Sequence, residues 1–493
     1  LKAMKLSKLL AVIPHDADER AVEFEITSLA YDSRKAVSGS LFFCLKGEVT
    51  DGHLYAQSAY GNGCRAFLVT REVALPHDAI IVRTDDTRRA LALLSAEFFG
   101  HPEKKLRLIG VTGTKGKTTV STLLAEARNR AGYKTGLIGT NGILFEGKKT
   151  PTANSTPESY ELQKAFADMV EGGAEYAVME VSSQAYLTGR VYGLSFHLGI
   201  YTNLSADHIG PGEHKDFENY MQCKSMLFAH SRYALINVDD AYSEAMALAA
   251  AGDVLYYSLE NEADYAASDL ALQTVNGSPG MAFSASLQKR GQHAFRVRTP
   301  GRYSVYNALA VAAACDILGL TAESAEQTLE NTNVDGRFEI VPALPMRTFV
   351  IDYAHNELSL QNILETLRLY EPKRLVCLFG SVGGRTELRR KAMGEIAASL
   401  CDFCILTSDN PGSEPPTDII ADIEKGFLGH DCPYTVIPDR EEAIRHAVLH
   451  SQEGDVILFA GKGHETYQLI DGVKVPFCER EIIEQSAKWM PTV

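Results

Sequence analysis

Seven consecutive residues constrain this chain more than any others: Gly113-Thr114-Lys115-Gly116-Lys117-Thr118-Thr119. They follow the apolar run Leu106 to Val111 and precede a helical pattern carrying Val120, Leu123, Leu124 and Ala127. A strand, a glycine turn, a lysine and a hydroxyl pair opening a helix form a phosphate cradle, because backbone N–H groups and the helix dipole face the anion. Lys117 is placed to reach terminal phosphates, and the Thr118 hydroxyl can hold Mg²⁺. A generic P-loop has glycine where this chain has Val111, so the string is a shortened G-x-x-G-K-T-T form. Nucleotide binding is the expectation.

At 493 residues the chain is too long for one core, and about three domains are expected. Hydrophobic content of 45% suits a globular protein. A net charge of −15 with no basic stripe argues against a nucleic-acid or anionic-membrane partner. No stretch reads as a membrane span or signal peptide, since the apolar segment Leu6 to Ile13 is interrupted by polar residues. Nine scattered cysteines fit a reducing cytoplasm. Cys401 and Cys404 form the one C-x-x-C in the sequence and read as structural.

Three zones separate, all α/β: 1–100, 101–339 and 340–493. The first has short strands near Phe24 to Tyr31, Ser40 to Leu45, Arg65 to Val69 and Ala79 to Val82, then a helix over Thr87 to Phe99. From Leu106 to about Glu339 strands alternate with helices, which favours a parallel sheet. The third zone repeats that rhythm, with strands at Phe349 to Ile351, Leu375 to Phe379, Phe403 to Leu406 and Val456 to Phe459. Polar signatures follow each of these: Asp352 to Asn356, Gly380 to Arg385, Asp409 to Gly412 and Gly461 to Glu465. Ligands bind outside the carboxyl ends of parallel strands, so the four loops are expected on one rim.

Other residues carry chemistry in the central zone. The apolar run Tyr176 to Met179 ends in Glu180, a natural metal ligand at a strand end beside a P-loop. A second strand from Ile200 ends in Asp207-His208, making His208 a reasonable ligand. Lys224 shares a helical stripe with Phe217, Tyr220, Met221, Leu227 and Phe228. A lysine there must snorkel, find a carboxylate or lose its charge. As a free amine it could also take up CO₂ to give an anionic, metal-binding carbamate.

These motifs, with Met179-Glu-Val-Ser-Ser183, Thr202-Asn-Leu-Ser-Ala-Asp-His208, Asn237-Val-Asp-Asp240, Gly336-Arg337, Asp352-Tyr-Ala-His355, Asp409-Asn-Pro411 and Gly461-Lys-Gly-His-Glu465, resemble the Mur ligases in order and along essentially the whole chain. The resemblance implies a cytoplasmic, monomeric ligase of peptidoglycan precursor synthesis with three domains. These are a small α/β UDP-binding domain, a P-loop ATPase domain and a Rossmann-like domain that takes the amino acid. It implies ATP, two Mg²⁺ ions, UDP-MurNAc-L-Ala-D-Glu and a diamino acid, joined through an acyl phosphate. By family position Thr118 and Glu180 serve one Mg²⁺, and His208 and carbamylated Lys224 the other; Lys117, Glu180, His208 and Lys224 are the catalytic set. Gly113 to Thr119, Asn307, Arg337, Asp352 and His355 fall to ATP. Ser33 (within Asp32-Ser-Arg34, with Asp51-Gly-His53 nearby), Asn154, Ser155, Thr156, Ser182 and Arg190 fall to the UDP-muramoyl dipeptide. Arg385, Asp409, Asn410, Gly412, Gly461 and Glu465 fall to the amino acid.

Three departures from the family pattern matter. Gln184 stands where a histidine is usual and cannot exchange protons at neutral pH. Gly380-Ser-Val-Gly-Gly-Arg385 lacks an aspartate often found before the arginine. Gly412 replaces the arginine that forks to the distal carboxylate of diaminopimelate. Leaving that carboxylate unpaired costs roughly 3–5 kcal/mol, so L-lysine, or another diamino acid without the distal carboxylate, is favoured, unless Arg389 or Arg390 substitutes. Against this, Gly461-Lys-Gly-His-Glu465 resembles the diaminopimelate type. A folylpolyglutamate- or cyanophycin-synthetase-like ligase is the sibling reading; a non-catalytic nucleotide-binding regulator is the other.

Overall fold

The computed structural model describes residues 3–47, 50–205, 214–276, 278–384 and 387–490. They form two compact units, one of Leu1–Ala267, Ala285–His293 and Leu309–Ala325, the other of Ser268–Ser284, Ala294–Ala308 and Glu326–Val493.

The first unit opens with a five-stranded sheet in the order Asp16–Ala17, Ile80–Arg83, Ala66–Val69, Ser40–Phe43, Ser28–Ala30. The last four run parallel. Helix Thr87–Phe99 starts where the Asp86 carboxylate accepts from the N–H groups of Arg88 and Arg89, and it stops at left-handed Gly100. Its Leu91, Leu94 and Phe98 join a core with Leu41 and Leu68. Each such side chain contributes about 1.5–3 kcal/mol by leaving water.

A larger sheet follows, in the order Lys148–Thr150, Gly142–Phe145, Thr135–Gly139, Tyr176–Glu180, Arg107–Thr112, Phe196–Tyr201, Ser231–Asn237, Asp253–Ser258. From Thr135–Gly139 onward its neighbours are parallel. Glu180 lies opposite Val111 and Tyr201 opposite Thr112, so three loops leave this sheet side by side. The expected alternation of strand and helix breaks twice: Thr135–Gly139, Gly142–Phe145 and Lys148–Thr150 follow one another as antiparallel neighbours, and Tyr265–Val275, Ser278–Leu287 and Gly291–Val297 again follow without a helix between them. Ser278–Leu287 largely alternates buried and half-buried residues, the pattern of a strand covered on one face rather than a parallel strand covered on both.

The second unit contains a six-stranded sheet in the order Glu339–Val341, Thr348–Asp352, Asp455–Ala460, Arg374–Phe379, Phe403–Leu406, Tyr434–Val436. All its neighbours are parallel except the first pair. Helices Glu357–Arg368, Glu387–Leu400 and Pro416–Glu424 bury Leu364, Met393 and Ile420 in one core, and Arg440–Leu449 and Glu479–Ala487 bury Ile444 and Ile483 in another. The four apolar runs expected as strands are strands to within one residue at either end.

Candidate active site

In the first unit the phosphate loop joins strand Arg107–Thr112 to helix Lys117–Arg130. Gly113 has φ +150°, and a Cβ there would sit 1.9 Å from the Thr202 hydroxyl oxygen. Gly116, at φ +86°, turns the chain into the helix, whose first N–H groups are left for an anion. Asn203 holds the loop by accepting from the Lys115 N–H at 2.9 Å, and Thr202 donates to the Lys115 carbonyl at 2.6 Å. Lys117 Nζ folds back onto the carbonyl oxygens of Gly113 (2.8 Å) and Thr114 (3.1 Å). Thr119 opens the helix beside the buried Thr118.

Lys224 arrives at the same place. Helix Phe217–Ala229 is capped by the Asp216 carboxylate and turns Tyr220, Lys224 and Phe228 inward. Lys224 is 2% exposed; its Nζ donates to the Gly113 carbonyl at 2.9 Å and lies 4.6 Å from the Tyr220 ring centre. Tyr220 in turn bonds the Thr114 hydroxyl at 3.1 Å. The lysine therefore does not snorkel: it is drawn into the loop.

Glu180 is buried at the end of its strand. Its two oxygens accept from the Thr140 N–H (2.8 Å) and hydroxyl (3.1 Å), and Thr140 accepts from Thr118 at 3.4 Å. Gly139 makes room, since a Cβ there would lie 2.5 Å from Glu180 Oε1. Hydroxyl and carboxylate oxygens are the donors Mg²⁺ takes, so Thr118 and Glu180 fit one ion. His208 lies outside the described residues, and among those described no group of three or more His, Cys, Asp or Glu is placed to hold a metal. Asn203 entered the sequence analysis only within the Thr202 to His208 motif, and Thr140 not at all, because their hydrogen bonds run to residues of other loops and strands.

Behind Glu180, Thr156 donates to the Glu180 carbonyl (2.9 Å) and accepts from the Ser182 N–H (3.0 Å), while Arg190 holds the Thr156 carbonyl (3.1 Å). Thr156, Ser182 and Arg190 are thus one cluster, with Ser155 half-buried and Asn154 exposed next to it. The nearby Gln184 has a buried Nε2 with no hydrogen-bond partner among the described residues. After the edge strand Ser28–Ala30 of the N-terminal sheet, Ser33 opens a short 3₁₀ turn and is buried, its carbonyl bonded by Asn62 at 2.9 Å. His53 Nε2 accepts from the Thr70 N–H, which puts its proton on Nδ1 toward Asp51 at 2.6 Å.

The second unit builds its rim from side chains. Lys462, fully buried, donates to Asn410 Oδ1 and Glu465 Oε2, both at 2.7 Å, and lies 3.8 Å from Asp409. Asn410 completes the ring by donating to Glu465 at 2.8 Å. Burial pushes the Asp409 carboxyl above its ordinary range, against the pull of Arg440 and Lys462. Gly461, at φ +113°, lets the chain pass Asp409: a Cβ there would be 2.4 Å from Oδ2. Lys462 organises three residues expected to hold the amino acid, yet it was quoted only as part of its motif; a lysine between two glycines carries no sign of burial.

Nearby, Asp352 accepts from the Phe338 N–H at 2.8 Å, and His355 Nδ1 bonds the Tyr353 carbonyl at 2.7 Å. Arg337 lies 4.7 Å from the centre of the Tyr353 ring. Asn307 is half-buried on helix Arg302–Ile317. Gly412 has φ +63°, with its N–H on the Leu469 carbonyl and its own carbonyl accepting from Asp471. Arg385 is outside the described residues. Arg390 is not available to replace the missing arginine: it is 3% exposed, with both terminal nitrogens on Glu414 (2.7 Å each) and one also on Asp422 (3.0 Å). Its hydrogen bonds hold the Glu414 carboxyl down at about 2. Arg389 donates to the His355 carbonyl at 2.8 Å.

Comparison with known proteins gives this arrangement its class. Residues 25–99 match the model described as Mur ligase family, catalytic domain; 111–315 match the Mur ligase middle domain; 336–463 match the Mur ligase, glutamate ligase domain. A UDP-N-acetylmuramoyl-L-alanyl-D-glutamate–2,6-diaminopimelate ligase of Caldanaerobacter subterraneus subsp. tengcongensis is 41% identical over 98% of both chains. One of the same name from Geobacillus kaustophilus is 39% identical over 98% of this chain and 99% of its own. A solved ligase of that name superposes with a TM-score of 0.69 at 29% identity, covering 99% of each chain. The MurF ligase of Thermotoga maritima, solved with ADP, shares the fold at a TM-score of 0.64 and 18% identity, over 94% of this chain and 98% of its own. The class is an ATP-dependent amide ligase of α/β fold. The chain belongs to the Mur ligase family, the ligases of peptidoglycan synthesis.

Proposed function

We propose that this chain joins a diamino acid to the D-glutamate of UDP-MurNAc-L-Ala-D-Glu, using ATP and Mg²⁺, as a cytoplasmic monomer. Domains at 1–100, 101–339 and 340–493 bind the UDP-sugar, ATP and the amino acid in turn. The relatives' names support the substrates. The observation that carries the reading is the pair of rims: a phosphate loop with Lys117, Thr118 and Glu180 on one sheet, and Asp409, Asn410 and Glu465 gathered by Lys462 on another. Matching of residues 25–99 as a Mur ligase domain counts against the folylpolyglutamate sibling, whose solved examples cover 76% of this chain.

The chemistry follows from charge. Glutamate's carboxylate must meet a phosphate, so Lys117 moves from the Gly113 carbonyl to the phosphates and offsets the repulsion. Mg²⁺, held by Thr118 and Glu180, supplies further positive charge there. Thr156, Ser182 and Arg190 orient the dipeptide against that rim, with Asn154 and Ser155 beside them and Ser33 on the uridine side. Asn307, Arg337, Asp352 and His355 serve the nucleotide. The amine of the amino acid then attacks the acyl phosphate and phosphate leaves. A carbamate on Lys224 would keep one N–H for Gly113 and add an anionic pair of oxygens; by family position it and His208 would hold a second Mg²⁺.

For the amino acid, Gly412 and the sequestered Arg390 favour L-lysine, whose distal end needs no cationic fork. Asp409 and Glu465 carry two carboxylates against the single ammonium of Lys462, a balance that suits a substrate ammonium. The relatives' names favour diaminopimelate instead. Phosphate release with UDP-MurNAc-L-Ala-D-Glu, ATP and Mg²⁺ decides between them when L-lysine, diaminopimelate and ornithine are compared. Release with none of these refutes the ligase reading, and a preference for diaminopimelate refutes the inference from Gly412.

A further inference from the structure

One group of residues has no part in the ligase chemistry above. Cys377 and Cys404 pair across neighbouring strands, Cys401 follows helix Glu387–Leu400 two residues before the second strand, and Cys432 precedes the next. Three are buried in one apolar core, and the half-buried Cys432 packs against it. All four are free thiols, and no group of three or more described His, Cys, Asp or Glu is placed to hold a metal. Metal ligation is therefore a poor account of this cluster.

Within it one pair stands out. Cys404 and Cys432 bring their sulfurs to 4.0 Å, and a disulfide bond requires about 2.0 Å. The two differ in access. Cys404 is fully buried on strand Phe403–Leu406, whereas Cys432 lies in a stretch where residues 428–431, 433 and 434 are exposed. The Cys404 N–H holds the Pro433 carbonyl at 3.1 Å, which keeps Cys432 beside Cys404 on the solvent-facing side. A hydrogen bond from Cys404 also lowers the Cys432 thiol, and the thiolate is the form that reacts. Cys401 is drawn down as well, to about 5, by hydrogen bonds from Cys377 and Cys404, but it is buried, so access rather than acidity singles out Cys432. Buried Cys44 and Cys64 are pushed up to about 12 and about 11 by desolvation.

We propose that Cys404 and Cys432 are an oxidisable dithiol, with Cys432 oxidised first by a peroxide and Cys404 resolving it. The Cys432 thiolate attacks one oxygen of hydrogen peroxide, breaking the O–O bond to give a sulfenic acid and hydroxide, which takes up the proton lost from Cys432. The Cys404 sulfur then attacks the sulfenic sulfur, and its proton leaves with the departing hydroxyl as water. Two thiols and one peroxide thus become one disulfide and two waters. The product would tie the exposed stretch at 428–434 to the strand that runs on into Thr407, Asp409 and Asn410.

Peptide mapping of the full chain under non-reducing conditions, after hydrogen peroxide treatment and thiol blocking, tests this. A Cys404–Cys432 linked peptide is expected in most molecules, reversed by dithiothreitol, with Cys44 and Cys64 still blocked as free thiols. Cys432→Ser should abolish the link, and Cys404→Ser should leave Cys432 trapped as sulfenic or sulfinic acid. Unlinked thiols at both positions, or a dominant link from Cys401 to Cys404 or Cys377, overturns the proposal. The wild-type map alone decides it if a variant fails to fold.

Discussion

The two rims solve the same problem, holding charge at the ends of parallel strands, by opposite means. The phosphate loop uses backbone: glycines at 113 and 116, free helix N–H groups and carbonyls that park Lys117 and Lys224. The rim around Lys462 uses side chains from separate loops, locked by hydrogen bonds of 2.7–2.8 Å among Asn410, Lys462 and Glu465. A backbone site tolerates loss of one side chain structurally and fails chemically. A side-chain site should fail in both ways at once.

The largest effect is expected at the phosphate loop. Lys117→Met should reduce phosphate release by about 10²- to 10³-fold with little change in melting temperature, because the loop is held by Thr202 and Asn203. A large fall in melting temperature would break the contrast. Lys224→Ala should lose about 10²-fold in turnover, with partial recovery on adding bicarbonate or a short carboxylic acid if a carbamate acts there. Unchanged turnover in that variant rules the carbamate out.

Lys462→Met removes the counter-charge shared by Asp409 and Glu465, and breaking a buried pair costs about 3–5 kcal/mol. The expectation is a lower melting temperature together with a KM for the amino acid raised at least about tenfold, while the KM for ATP stays within about twofold. Equal rises in both KM values would argue that Lys462 acts through general unfolding alone.

Asp409→Asn gives the smallest and most discriminating effect on stability. Burial raises the folded-state pKa of Asp409, so its contribution is fully present below the ordinary carboxylate range and is lost as pH climbs through the raised value. The asparagine variant should therefore match or exceed the wild type in melting temperature at pH 7, with the difference shrinking toward about pH 4. A variant less stable at pH 7 than at pH 4, relative to wild type, would reverse the assigned sign. Its KM for the amino acid should nonetheless rise.

Legibility in the sequence followed the same division. Gly113 to Thr119 and Glu180 could be read because strand, turn and helix are contiguous, and the apolar strand ends mark where polar groups emerge. Thr140 was invisible because its link from Thr118 to Glu180 depends on the register of strands 40 residues apart in sequence. Lys462 was read as a motif letter because its burial depends on Asn410 arriving from another loop. The regular alternation assumed up to Glu339 failed at Gly142, where antiparallel strands follow Thr135–Gly139 directly, and again from Tyr265, where Ser278–Leu287 is covered on one face. Gly412 showed that a fork was missing, but only packing showed that Arg390 is already committed to Glu414 and Asp422.

The carbonyl of Gly113 has a consequence beyond loop geometry. One oxygen receives both Lys117 and Lys224, which reach it from different helices. When Lys117 leaves for a phosphate, the electrostatic surroundings of Lys224 change without any helix having to move. Under the proposed mechanism nucleotide binding and the chemical state of Lys224 are then linked, and the linkage is reciprocal: the factor by which bound nucleotide changes the affinity of Lys224 for CO₂ is the factor by which the carbamate changes nucleotide affinity.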